Sequence, residues 1–150
     1  MEERTYKRPE SVLVVVFTRE GEVLLLRRRE PPGFWQSVTG SLGWNETPAQ
    51  AARRELEEET GLEPGGGLRD CERVNRFPIH PAWNARYAPG VTENVEHVFA
   101  LPLIGRFRVR LDPREHAEYQ WLHGPGALEL ASSHTDRVAI ARTIGPGVGR

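Results

Sequence analysis

Three glutamates, Glu55, Glu58 and Glu59, recur at i, i+3 and i+4 within the run Glu55–Leu56–Glu57–Glu58–Glu59. On a helix that spacing puts three carboxylates on one face, where like charges repel by roughly 0.2–0.5 kcal/mol per pair. Divalent cations relieve the repulsion, and hard carboxylate oxygens favour Mg²⁺, with Mn²⁺ as a substitute. Such a face can hold the metal ions that assist hydrolysis of a diphosphate.

The surrounding residues predict the helix that presents this face. Thr47 offers an N-cap, Pro48 a first helical residue and Gln50 a capping-box partner, while Gly61 supplies a left-handed stop. The helix is expected from Pro48 to Thr60, with Ala49, Ala52 and Leu56 as an apolar stripe that anchors it to a sheet. A glutamate-rich helix with Arg53 and Arg54 nearby is by itself an ordinary solvated helix. The loop from Gly40 to Glu46 before it and Gly61 after it set this one apart.

From Gly40 to Leu62 the chain reads GSLGWNETPAQAARRELEEETGL. This segment resembles the Nudix box at Gly40, Glu46, Arg54, Glu55, Leu56, Glu58, Glu59, Gly61 and Leu62. The resemblance implies an α/β fold, a Nudix-type α/β/α sandwich with a mixed β-sheet, and an enzyme that hydrolyses a nucleoside diphosphate linked to another group. Trp44 departs from it, because that loop position is commonly small or acidic.

Other segments are similar to a bacterial group of Nudix enzymes that cleave dihydroneopterin triphosphate in folate synthesis, some of them labelled dATP pyrophosphohydrolases. They are TYKRP from Thr5, FWQSVTGS from Phe34, RYAPGVTEN from Arg86 and EHAEYQWL from Glu115. By that resemblance Glu55, Glu59 and Glu115 bind Mg²⁺, Glu58 is a further ligand or the base that orients water, and Arg54 holds the carboxylates in place. It also implies that Lys7, Arg28 and Thr39 contact the substrate, and that Phe77, Pro78, Ile79, His80 and Ser133 surround the pterin. The expected partner is a small-molecule pterin or nucleoside triphosphate. Pro78 lies near where a proline marks some ADP-ribose hydrolases, a weaker indication of a third substrate class.

At 150 residues with 38% hydrophobic content, the chain is expected to form a single domain, 1–150, around one core. A net charge of −1 gives no electrostatic case for nucleic-acid or membrane partners. The intact glutamates of the box oppose a catalytically silent binding module. Cys71 is the only cysteine, which excludes an intramolecular disulfide and a cysteine-rich zinc site. A charged amino terminus and the lack of a long apolar run point to the cytoplasm. Oligomeric state is not legible.

Ser11–Thr18 and Glu22–Arg27 read as a β-hairpin turning at Arg19–Gly21, with Arg27, Arg28 and Arg29 at its end. FWQSVTG is expected to be a short strand delivering Gly40. Strands are also expected at Arg69–Phe77, Glu93–Leu103 and Tyr119–Leu122, with residues 78–91 forming a long loop over the site. Ser132 or Ser133 can cap a last helix at about 134–143, and the terminal GPGVGR is expected to fray.

Overall fold

The computed structural model describes residues 5–144; the terminal GPGVGR lies outside them. Seven strands form one mixed sheet: β1 (Glu10–Thr18), β2 (Glu22–Arg28), β3 (Trp35–Gln36), β4 (Val38–Ser41), β5 (Arg69–Pro78), β6 (Glu93–Leu103) and β7 (His116–His123). Helix α1 (Pro48–Thr60) packs on one face, and α2 (Gly124–Leu130) and α3 (His134–Ile144) on the other. This is the expected α/β/α sandwich.

Strand β1 reads as an unbroken apolar run because it is buried on both faces. Val12, Val14 and Val16 pack with Leu56 of α1, while Leu13 and Val15 pack with Ala139 and Ile140 of α3. It runs parallel to β6 along its whole length, and α1 lies in the crossover that a parallel pair requires.

The hairpin forms only at its tip. β1 and β2 share the single aligned pair Phe17↔Val23, because β4 takes the edge of β1 from Ser11 to Val14 while β2 turns to β3 and β7. The sheet therefore splits between the two strands, and the split leaves room for a cavity. Ser37 marks the break between β3 and β4, where its amide and its Oγ each donate a 2.7 Å hydrogen bond to Asp136 of α3. That buried carboxylate, pushed up to about 6 by burial, ties the kinked segment to α3.

Strands β5 and β6 lie close to their expected limits, and β7 is longer than expected at both ends. The segment after β5 is not wholly irregular, since Pro81–Arg86 forms a 3₁₀ helix capped by His80, whose Nδ1 accepts the Ala82 amide. Helix α2 was not expected; Pro125 occupies its first turn.

Candidate active site

Helix α1 begins with the full capping box of Thr47 and Gln50 and ends at Gly61, whose φ of 77° is left-handed. The buried stripe comprises Ala51, Ala52 and Leu56 and continues into Glu59; Ala49 is exposed instead. Helical geometry separates the three glutamates. Glu59 follows Ala52 and Leu56 at i+7 and i+3 and is 2% exposed, whereas the Glu58 side chain, two positions past Leu56, is 57% exposed.

Arg54 binds the box together. Its guanidinium meets both Glu46 oxygens at 2.7 and 2.8 Å, Glu55 Oε1 at 2.7 Å, Glu58 Oε2 at 3.3 Å and the Ser41 carbonyl at 3.0 Å. The fork holds the Glu46 carboxyl down to about 2. Glu55 crosses over Gly40, where an added Cβ would lie 2.1 Å from Glu55 Cδ, so the absence of a side chain at Gly40 is a steric requirement of the carboxylate.

The inner carboxyls are crowded. Burial, a hydrogen bond with Glu55 and the charges of Glu55 and Glu115 push Glu59 well above the usual carboxylate range, against one amide donated by Thr39. Glu59 Oε1 is buried without a hydrogen-bond partner. Glu115, just before β7, is raised by burial and then by Glu55, Asp112 and Glu58. An orphaned oxygen among mutually repelling carboxylates fits a divalent cation held by Glu55, Glu59 and Glu115. Among the described residues no three acidic, histidine or cysteine side chains converge closely enough to enclose an ion as they stand.

These carboxylates line a cavity of about 680 Å³ that also receives Lys7, Arg28 and Thr39 and the segment Phe77–His80. Lys7 is lowered from its usual range by burial and then by the charges of Arg86 and Arg28, while Glu55 and Glu115 pull it up. Cations thus crowd one wall within reach of the carboxylates, an arrangement that an extended anion carrying divalent cations would relieve. Thr39 Oγ1 donates to the Val12 carbonyl at 2.8 Å, which leaves its oxygen lone pairs available to accept.

Two expected site residues stand apart. Ser133 does not line the cavity; its Oγ accepts the Asp136 amide at 3.1 Å and caps α3. Glu58 is at the rim, bound to Arg54, and does not line the cavity either. Arg27 turns outward to Glu118 at 3.0 Å, whereas Arg29 does line the cavity. Trp44, more than half exposed, anchors its loop by donating Nε1 to the Tyr6 carbonyl.

His116 was not expected. It is buried, its Nε2 lies 4.0 Å from Glu59 Oε1 and 3.2 Å from Gln36 Nε2, and burial followed by the charge of Arg28 lowers it to about 4. It is therefore neutral at pH 7. Its position beside Glu115 was a signal, since the residue next to a cavity carboxylate in an entering strand borders the same space. Asn94 and Glu96, both buried, line the cavity too. Their signal was the i, i+2 spacing that sets both on one face of β6.

The profile of the NUDIX domain matches residues 7–141. The chain belongs to the Nudix family. Among Nudix relatives, dihydroneopterin triphosphate diphosphatase of Escherichia coli strain K12 is 42% identical over 148 residues, covering 96% of this chain and 97% of its own. The enzyme of the same name from Haemophilus influenzae is 38% identical, with 93% and 89% covered. The solved structure of the E. coli dihydroneopterin triphosphate pyrophosphohydrolase superposes with a TM-score of 0.84 at 43% identity, covering 93% of this chain and 97% of that one. Nudix hydrolases generally need a divalent metal ion, in agreement with the crowded carboxylates. Among the described residues no helix is long and apolar enough to cross a membrane.

Proposed function

We propose that this Nudix hydrolase converts 7,8-dihydroneopterin triphosphate and water to dihydroneopterin monophosphate and pyrophosphate, as a cytoplasmic step of folate synthesis. The observation that carries the reading is the division of one cavity into a carboxylate wall of Glu55, Glu59 and Glu115 and a cationic wall of Lys7, Arg28 and Arg86. The near full-length similarity to dihydroneopterin triphosphate diphosphatases supports the choice of substrate.

Glu55, Glu59 and Glu115 would hold Mg²⁺, or Mn²⁺ in its place. When bound, the ion neutralises charge developing on the phosphoryl oxygens and makes water a better nucleophile at neutral pH. Lys7 and Arg28 bind the phosphates and hold them off the carboxylates. Arg54 fixes the direction of Glu55 and Glu46 through its forked contacts, and Glu58, which it also holds at the rim, would be a further ligand or the base that orients water. Thr39 contacts the substrate beside Glu59. Phe77 and Ile79 offer apolar surface for a flat ring, with Pro78 and His80 shaping the same wall.

The test is to supply the purified protein and Mg²⁺ with dihydroneopterin triphosphate, common nucleoside triphosphates and ADP-ribose in parallel. Pyrophosphate and phosphate are measured separately. The reading expects pyrophosphate from the pterin substrate without phosphate release; stepwise release of phosphate would overturn it.

A further inference from the structure

Glu96 is a buried carboxylate that the hydrolysis of a phosphate chain does not use. It is 5% exposed and lines the cavity from β6, in register with Ser11 of β1 and Asn75 of β5. Its hydrogen-bond partners are neutral, since Asn75 Nδ2 donates to Oε1 at 3.1 Å and Thr135 also hydrogen-bonds to it, and its charged neighbour is another buried carboxyl, that of Asp136. No lysine, arginine or histidine among the described residues forms an ion pair with it. An ionised carboxylate accepts about four hydrogen bonds, so two donors leave it with capacity unused.

Burying such a group costs free energy unless further donors reach it. Burial raises its carboxyl above the usual range, and Glu55, Glu59 and Glu115 contribute nothing to that shift, which sets Glu96 apart from the carboxylate cluster within the same cavity. On the same strand Asn94 lines the cavity two residues earlier and donates Nδ2 to Ser11 Oγ at 2.8 Å. Strand β6 therefore presents a polar face to the cavity, with the Glu96 carboxylate as its charged acceptor, beside the apolar surface of Phe77 and Ile79.

We propose that Glu96 reads the ring of the substrate, accepting two parallel hydrogen bonds from a ring N–H and the adjacent exocyclic amino group of a 2-amino-4-oxopyrimidine edge. Pterins present that pair, and so does guanine. Adenine presents a ring-nitrogen lone pair there and no 2-amino group, so it meets the carboxylate acceptor to acceptor. The assignment rests on the proposed triphosphate hydrolysis and deepens it by naming the group that selects the base. A site built to pair a donor rejects analogues that lack it far more strongly than an apolar slot rejects a change in size.

The experiment has two arms. In the first, unaltered protein is given dGTP and dITP, which differ only in the 2-amino group, so folding of a variant is not at issue. A fall in kcat/KM of about tenfold or more for dITP is expected, from loss of one hydrogen bond to a charged group; equal values overturn the proposal. In the second, Glu96→Gln is compared with the unaltered protein on dihydroneopterin triphosphate, dGTP and dATP. The first two should fall at least tenfold relative to dATP. A uniform fall, or no fall, in all three would mark Glu96 as structural and overturn the assignment. A preference of the unaltered protein for dATP over dihydroneopterin triphosphate would instead refute the proposed substrate, and the dGTP-to-dITP comparison would still decide the role of Glu96.

Discussion

Gly40→Ala isolates the geometry of the carboxylate site from its composition, since it removes no ligand and no charge. The alanine Cβ would stand 2.1 Å from Glu55 Cδ, whereas carbon atoms in contact settle at about 3.5 Å. The Glu55 carboxyl must therefore retreat by about 1.4 Å. Gly40 does not have a positive φ, so alanine meets no backbone penalty, and the displaced group is the free end of a flexible side chain. Misplacement of about 1 Å in an active site costs on the order of 100-fold, equivalent to about 2.7 kcal/mol of barrier. The stability change is expected to stay within about 1 kcal/mol, the scale of the partly exposed Arg54–Glu55 pair, or about 2–4 °C in Tm for a chain of this size. Pyrophosphate release at saturating Mg²⁺ gives kcat, and a circular-dichroism melt gives Tm. A kcat within threefold of the unaltered enzyme at unchanged Tm would refute the claim that Glu55 must lie across Gly40.

Glu115→Ala is expected to lower kcat about 100-fold by opening the carboxylate wall, while Glu118→Ala, which only frees Arg27 at the surface, stays within twofold; equal effects in the same assay would reduce the segment to packing. Glu46 has a folded value of about 2 against 4.5 for the free side chain, so its contribution to stability is complete above pH 4.5 and is lost as pH falls through 2. Glu46→Gln should flatten the dependence of Tm on pH in that window, and curves that run parallel to those of the unaltered protein would count against the Arg54 pair. Lys7→Ala should weaken hydrolysis of all triphosphates alike, because they share the phosphate chain, whereas Phe77→Ala should change the ratio of kcat/KM between pterin and adenine substrates.

Helix α1 was legible because its cap, proline, carboxylate spacing and terminal glycine all act within one segment. The strands were legible where burial on both faces wrote an apolar run, as in β1, or where the run was long, as in β6. The parting of β1 from β2 was not, since it depends on β4 and β7 competing for their edges across the chain. The site followed the same division. The box residues meet through contacts near in sequence, whereas His116 and Glu96 reach the cavity only through pairing between distant strands. Ser133 sits beside the right element, but its hydroxyl is used to start α3. Glu55, Glu58 and Glu59 looked equivalent by spacing, and the orientation of α1 on the sheet makes them unequal.

The most direct measurement is a competition in one vessel. Dihydroneopterin triphosphate and dATP at equal concentration, with Mg²⁺ and a limiting amount of protein, are consumed in the ratio of their kcat/KM values. The account predicts that the pterin is lost at least tenfold faster, about 1.4 kcal/mol of discrimination in the transition state, with pyrophosphate formed in equal amount. Faster loss of dATP would contradict it.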